Sequence, residues 1–143
     1  MSNPIDHKKV TLKSTPDRIL GAENTPSGKV LWGGIILSSV NLENGTQIEV
    51  LSYPLDHRQL PRVTRQSTGR FVVFHPDYLE TTDFSDGRLV TVLGSITGTG
   101  QGTLGEARYR YATMTAEDIY LWREDGSDVA PAFSVGIGIN LSN

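Results

Sequence analysis

The sequence predicts an all-β fold, a small antiparallel barrel of about five or six strands. Runs rich in β-branched and aromatic residues recur along the chain, and 15 glycines and 7 prolines separate or interrupt them. Two of these runs flank Asn44-Gly45, a dipeptide that supplies the positive-φ residues of a tight hairpin turn. Glycines inside the runs, at Gly33-Gly34 and Gly94, indicate the bulges or sharp bends that a small barrel needs in order to close.

Composition limits the class of protein and its partners. A chain of 143 residues is long enough for one domain with its own hydrophobic core. The net charge of −3 disfavours nucleic acid as a partner, because the protein repels phosphate groups. The chain contains no cysteine, which excludes disulfides and thiolate chemistry. We find no apolar core of a secretory signal and no membrane-spanning window of roughly 18 to 20 apolar residues, so we expect the chain as given to be soluble.

Residues 1–28 are rich in proline and polar residues, and this composition predicts an extended leader. One short helix is expected inside it. Thr15 is a good N-cap, Pro16 suits the first helical position, and the helix should run through Leu20 and end before Gly21.

From residue 29 onward the pattern predicts strands, joined by turns and loops. The predicted strands lie at residues 30–32, 35–40, 47–53, 70–74, 88–98, 108–114 and 118–123. Residues 56–69 lack a regular period and predict a long exposed connection. We expect a helical turn at 77–84 and a glycine-rich hairpin connection at 99–105. Residues 125–143 predict a C-terminal tail or an edge strand, because apolar residues alternate there with glycines among them.

These elements predict three parts in the chain: a leader at 1–28, a β-barrel domain at 29–124 and a tail at 125–143. The glycine-bent strands at 30–53 and 88–98 should close the barrel. The strand count and the bends predict Greek-key character and a likeness to an oligonucleotide-binding (OB) fold. A related barrel or a small sandwich is the alternative.

A series of short motifs follows in order between residues 29 and 123. The motifs are Gly33-Gly34-Ile-Ile, Thr46 to Asp56, Gly69-Arg-Phe71, Gly87 to Gly94, Gly98, Gly105-Glu106, Tyr109-Arg-Tyr111 and Ile119-Tyr-Leu-Trp122. Together they resemble the Slp family of outer-membrane lipoproteins of Gram-negative bacteria. The resemblance implies a signal peptide, an acylated cysteine at the mature N-terminus and a location at the outer membrane. Both features are absent from this chain, and we expect that they were trimmed, which leaves residues 2–28 as the tether; a cytosolic relative is the alternative.

For function, the resemblance implies a non-enzymatic role in the envelope or in stress response. The implied partners are the membrane, reached through the N-terminal lipid anchor, and an envelope protein or glycan. We expect no cofactor.

Two alternative functions come from the residues themselves. The first is a barrel that binds a small molecule or a glycan on an aromatic face, and its candidate recognition surface consists of Tyr53, Arg70, Tyr109, Tyr111 and Trp122. The second is a hydrolase that uses Asp56, His57 or His75. The spacing of these histidines matches no metal or catalytic signature, so we expect solvent-exposed loop histidines and neither a catalytic nor a metal site.

Overall fold

The fold is built almost entirely from β-strands, which confirms the predicted all-β class. The computed structural model describes residues 3–124 and 133–136. Two short helices precede the strands, a 3-10 helix at His7–Lys9 and helix α1 at Pro16–Gly21. The strands are β1 Lys29–Leu42, β2 Gly45–Tyr53, β3 Gly69–His75, β4 Leu89–Leu104, β5 Ala107–Leu121 and β6 Phe133–Gly136.

The sheet closes on itself into a five-stranded barrel. The strand order is β3-β2-β1-β4-β5, and β3 also pairs with β5. This closing pair is parallel, between Phe71–Phe74 and Ala112–Thr115, whereas the other pairs are antiparallel. The predicted barrel is therefore antiparallel except at one seam, because a ring with an odd number of strands cannot alternate direction all the way round. The result is the predicted OB-like, Greek-key barrel.

Strands β1 and β2 form the predicted hairpin, but its turn lies one residue earlier than Asn44-Gly45. Leu42 pairs with Gly45, so Glu43 and Asn44 are the turn residues. Gly45 has a φ of 151°, and a Cβ there would lie 2.2 Å from the carbonyl oxygen of His75. This glycine is therefore required for the close approach of β3 to the hairpin.

Two glycines inside the strands lie at or near register shifts. A Cβ on Gly34 would lie 1.8 Å from the carbonyl oxygen of Leu51, and the β1–β2 register shifts just beyond, between Ile36 and Ser38. At Gly94, β4 shifts register against β5. Gly94 therefore lies at an irregularity, as predicted, whereas Gly34 allows a close backbone approach and the β1 shift itself lies at Leu37.

Strands β4 and β5 are longer than predicted. Residues 99–105, expected as a hairpin connection, continue β4 as far as Leu104, and the predicted strands at 108–114 and 118–123 are parts of one strand, β5. Since β4 pairs with β1 only up to Ser95 and β5 pairs with β3 only from Ala112, residues 97–111 extend beyond the barrel wall as a two-stranded ribbon. We call this ribbon the arm.

The N-terminal segment packs along the barrel. Thr15 caps α1 as predicted, since its Oγ1 accepts a hydrogen bond from Arg18 N. Ile5 and Ile19 are both 2% exposed and belong to the hydrophobic core, and Trp32 Nε1 donates to the carbonyl oxygen of Ser14. Residues that the sequence assigned to an extended leader thus contribute to the core.

The connection between β2 and β3 is partly buried, so the prediction of an exposed loop is wrong at its centre. Leu55 and Pro61 form a β-bridge, and Gln59 is only 4% exposed. The Gln59 side chain accepts a hydrogen bond from Ile5 N over 3.0 Å and donates to Ile5 O over 2.9 Å. The amide is buried because it satisfies the backbone of the N-terminal segment, as a neighbouring strand would do.

The remaining described elements are the segment between β3 and β4 and strand β6. In the segment predicted as a helical turn, Phe84 N donates to Glu80 O, and Leu79 and Phe84 are buried in the main core. Strand β6 pairs with β5 at residues 118–121, next to the end of β3. The rest of the predicted C-terminal tail or edge strand lies outside the described residues.

Candidate functional site

The outer side of β2, β3 and β5 carries most of the candidate recognition surface. Glu49, Arg70, Tyr109 and Tyr111 are partly buried, and all except Tyr109, which lies in the arm, have a chain neighbour that faces the core. These core neighbours are Val50, Phe71 and Ala112. The closing pair of β3 and β5 brings the arm beside Arg70.

Arg70 lies at the centre of this surface. Its Nη1 lies 3.0 Å from Glu49 Oε2, and its Cζ lies 4.3 Å from the centroid of the Tyr109 ring. The Tyr109 hydroxyl donates to Glu49 Oε1 over 3.4 Å. We call these three residues the Arg70 cluster. It combines a charge-assisted hydrogen bond with a cation–π contact, so each side chain holds the other two in place.

The environment of Tyr109 keeps its hydroxyl protonated. Burial raises the pKa of Tyr109, and its hydrogen bond to Glu49 raises it further. The phenol therefore remains a hydrogen-bond donor at neutral pH.

Both arm tyrosines lie over glycines of β4. Tyr109 pairs with Gly102 and Tyr111 pairs with Gly100. A Cβ on either glycine would lie 2.5 Å from a ring atom of its tyrosine. Tyr109 thus lies between Gly102 and Arg70, which fixes the arm against β3.

The structure places the five predicted recognition residues in three locations. Arg70, Tyr109 and Tyr111 are neighbours, with the two tyrosine rings 6.2 Å apart between centroids. Tyr53 lies at the end of β2 on the same side as Glu49. Trp122 lies elsewhere: it is buried and its Nε1 donates to Thr91 Oγ1 over 2.9 Å.

Glu49 is the member of the surface that sequence reasoning missed. It pairs with Val72 on β3. Arg70 is therefore its diagonal neighbour, two residues along the facing strand, a distance that long side chains can reach. The sequence contains no signal for this contact, because it depends on the β2–β3 register.

Asp56 and His75, two residues of the hydrolase alternative, lie far apart. Asp56 Oδ1 accepts hydrogen bonds from Arg58 N and Leu60 N, so this carboxylate stabilises a turn. The β2–β3 register places the Asp56 connection at one end of these strands and His75, which pairs with Thr46, at the other. The two ends are separated by roughly 20 Å at the usual rise of a strand.

His75 is buried, so the prediction of an exposed loop histidine is wrong at this position. It is the last residue of β3, is 4% exposed, and its Nδ1 accepts a hydrogen bond from Asp77 N over 3.0 Å. Burial lowers the pKa of His75. His7 and His57 are exposed, as predicted.

A buried chain of hydrogen bonds holds the N-terminal segment to the barrel, and the sequence did not predict it. Trp122 Nε1 donates to Thr91 Oγ1, which donates to Gln59 O over 2.7 Å, and the Gln59 side chain bonds the Ile5 backbone. The chain therefore joins the end of β5, β4, the β2–β3 connection and the N-terminal segment.

Glu117 of β5 forms ion pairs with Lys9 of the N-terminal segment and with Lys29 at the start of β1. Lys29 Nζ lies 2.6 Å and Lys9 Nζ 3.3 Å from the Glu117 carboxylate. The hydrogen bond from Lys29 is the main reason that the pKa of Glu117 is lowered.

Metal binding and membrane crossing by a helix have no support in the described residues. Among residues 3–124 and 133–136, no three His, Asp or Glu side chains lie close enough together to hold a metal ion. Neither described helix has the length and apolar character needed to cross a membrane.

Comparison with known proteins decides the family. The sequence model of the family described as "Outer membrane lipoprotein Slp family" matches residues 1–136. The chain belongs to the Slp family. Membership of this family supports the interpretation that the protein is a membrane lipoprotein.

Three curated proteins are similar to this Slp-family chain. One is an uncharacterized protein of Haemophilus influenzae, 36% identical over 94 residues, which cover 65% of the chain and 51% of that protein. The uncharacterized lipoprotein YeaY of Escherichia coli is 28% identical over 124 residues, 76% of the chain and 64% of YeaY. The outer membrane protein Slp of Escherichia coli is 24% identical over 91 residues, 64% of the chain and 48% of Slp. The alignments thus span about half to two thirds of the relatives' length. No solved structure matches the chain.

Proposed function

We propose that this chain is the folded, non-enzymatic domain of an outer-membrane lipoprotein that acts in the envelope or in stress response by binding a partner protein. The observation that carries the proposal is the Arg70 cluster, with Tyr111 beside it, on the outer side of the barrel. Tyrosine and arginine are enriched among the residues that contribute most to protein–protein affinity. The Slp family supports the membrane part of the proposal.

A role without catalysis is supported by the positions of the candidate catalytic groups. Asp56 is engaged by two backbone N–H groups, and His75 is buried at the opposite end of β2 and β3. A general base must lie within hydrogen-bond reach of the group that it activates, directly or through one water. Asp56 and His75 do not meet this condition together.

Attachment to the membrane is proposed to use an acylated cysteine before the residues of this chain. Each buried CH₂ group of an acyl chain contributes ~0.8 kcal/mol, so several chains together hold a protein at a bilayer. Ile5 is a core residue, and Lys9 is ion-paired with Glu117. These contacts support a domain that stands close to the lipid surface.

Binding of a glycan is the second candidate, and Tyr111 favours it. Its half-buried ring lies over Gly100, next to Tyr109. The side chains of Arg70 and Glu49 nearby are 26% and 18% exposed. An aromatic ring beside a guanidinium and a carboxylate is able to stack on a sugar and to hydrogen-bond its hydroxyls.

Photo-crosslinking tests the protein-partner proposal. The lipidated protein is produced in a Gram-negative host with a photoreactive residue in place of Tyr111, and the matched control carries it in place of Tyr78, which is 63% exposed and lies outside the Arg70 cluster. We expect one defined envelope-protein adduct from position 111 and none from position 78. Arg70→Ala should reduce that adduct while the circular dichroism spectrum stays unchanged. Equal adducts from both positions, or none from position 111, contradict the proposal.

An NMR titration separates the two candidates. The chain is titrated with peptidoglycan fragments and with lipopolysaccharide core oligosaccharide. Saturable shifts at Arg70 and Tyr111 without shifts at Tyr78 favour the glycan. A spectrum unchanged at the highest sugar concentration excludes these glycans and leaves the protein partner as the supported candidate.

A further inference from the structure

The arm carries an unpaired strand edge. Strand β4 pairs with β1 as far as Ser95, and the last backbone contact on that side joins Ile96 N to Gly28 O. In the part of the chain that the structure describes, residues 3–124 and 133–136, no strand lies against residues 97–104 on the side away from β5. This edge therefore presents backbone N–H and C=O groups that can pair with another strand.

The sequence of this edge lacks the usual protection. Residues 97–104 read Thr-Gly-Thr-Gly-Gln-Gly-Thr-Leu, with no charged residue and no proline. Exposed edges are generally blocked by lysine, proline, bulges or covering segments. The one irregularity, a register shift between Ile96 and Gly98, lies at the base of the arm and leaves the rest of the edge regular.

We propose that this edge of β4 pairs with the same edge of a second copy of the chain, antiparallel about a two-fold axis at Gln101. In this register Gln101 lies opposite itself and Thr99 lies opposite Thr103. Thr–Thr pairs across strands are favourable, and an uncharged edge meets its copy without repulsion. A contact made by the same patch on both copies closes as a dimer.

An exposed leucine and an uncovered glycine support this register. Gly98, Gly100, Gly102 and Leu104 lie on one side of β4. Tyrosines cover Gly100 and Gly102, whereas a Cβ on Gly98 would meet only Thr113 Oγ1, at 3.7 Å. Leu104 is 59% exposed. In the proposed dimer Leu104 lies opposite Gly98 of the second copy, so each leucine covers an open glycine.

The arginines of the arm do not oppose the pairing. Arg110 pairs with Gln101 across the arm, so three strand spacings separate the two copies of Arg110 in the dimer. That distance is roughly 14 Å. It exceeds the Debye length of about 8 Å at physiological ionic strength, so this repulsion is screened. The inference does not depend on what the Arg70 cluster binds.

Cysteine crosslinking tests the axis, because the chain contains no cysteine. Directly opposite residues of antiparallel strands have Cα atoms about 4.5 to 5.5 Å apart, within the range that a disulfide spans. We expect oxidised Gln101→Cys to run at twice the 15.6 kDa of the chain on a non-reducing gel. The matched control is Gln47→Cys, an exposed glutamine on β2, which is paired on both sides. Equal crosslinking of the two variants overturns the proposal.

A second crosslinking experiment tests the register in which the two β4 edges are proposed to pair. Thr99→Cys and Thr103→Cys should crosslink when mixed. Thr99→Cys alone should not, because its two copies lie four residues apart across the axis, roughly 13 Å. Efficient crosslinking of Thr99→Cys alone excludes the axis at Gln101.

Sedimentation of the unmodified chain tests the dimer without any cysteine. We expect a concentration-dependent dimer. Gln101→Lys should raise its dissociation constant by about tenfold or more, because two lysines then lie opposite each other. Gln47→Lys should leave the constant unchanged. A chain that stays monomeric at every concentration, with rapid hydrogen exchange at those amides of residues 97–104 that do not bond to β5, overturns the proposal.

Discussion

Replacing Gly34 with alanine is expected to disrupt the close approach of β1 to β2. An ideal Cβ at this position lies 1.8 Å from Leu51 O and 3.0 Å from Ser52 Cα. Real Cβ atoms essentially never come closer than 3.0 Å to another atom. The obstacle is backbone, so the two strands have to separate by about 1.2 Å, the difference between 3.0 and 1.8 Å.

The size of the effect follows from what this separation breaks. Gly34 pairs with Ser52 on β2 and with Val90 on β4, so neither neighbouring strand is free to move. Losing about two backbone hydrogen bonds costs about 2 kcal/mol, at ~1 kcal/mol each. Overpacking adds about 1 to 3 kcal/mol. A total of about 3 to 5 kcal/mol is a large part of the ~5 to 15 kcal/mol that stabilises a typical domain.

Urea unfolding measured by tryptophan fluorescence provides the assay, because Trp32 and Trp122 are buried in the two core clusters. The matched control is Gly21→Ala at the end of α1, where no atom lies within 4 Å of the added Cβ. We expect the control to be neutral or to gain up to about 1 kcal/mol. If the free energy of unfolding of Gly34→Ala stays within about 1 kcal/mol of that of the parent chain, position 34 does not require the absence of a side chain and the reasoning is refuted.

The remaining predictions concern buried polar groups. Because burial lowers the pKa of His75, the unfolded chain takes up this proton first, so thermal stability should fall as pH drops below the ordinary value of 6.5. His75→Asn, which keeps a hydrogen-bond acceptor, should remove this fall, whereas His57→Asn should retain it. Asp118→Asn should raise the melting temperature at neutral pH, because burial raises the pKa of Asp118 and its Oδ1 has no hydrogen-bond partner among the described residues. That gain should shrink as pH falls toward 3.8, and a lower melting temperature at neutral pH would contradict it. Gln59→Ala should cost about 1 to 3 kcal/mol in urea unfolding and speed hydrogen exchange of Ile5, and unchanged exchange would contradict the role of Gln59.

Features encoded by neighbouring residues were predictable. Thr15 and Pro16 start a helix because their own side chains suit its first turn. The β1–β2 hairpin follows from two strand patterns around a short turn, although the turn lies one residue earlier than its dipeptide indicated. The missing side chain of Gly94 indicated a strand irregularity, and that of Gly34 indicated a close backbone approach, without further context.

Features that depend on distant partners were missed or misread. Taken alone, Gly100 and Gly102 predict a loop. In the structure they continue β4, because Tyr111 and Tyr109 cover them from the opposite strand. Gln59 is polar and was expected in a solvent-exposed connection, yet the Ile5 backbone, 54 positions away, gives it a buried partner. A single sequence contains no register, so these pairings cannot be deduced from it.

The residue order alone therefore determined the all-β class, the principal strands and bends, and the motifs that resemble the Slp family, because each depends on properties of residues close together in the chain. The folded barrel alone decided that β3 and β5 meet in parallel, that Glu49 joins Arg70 and Tyr109, and that Trp122 is buried far from them. Closure of the ring brings these strands together, and the stagger between strands selects which side chains touch.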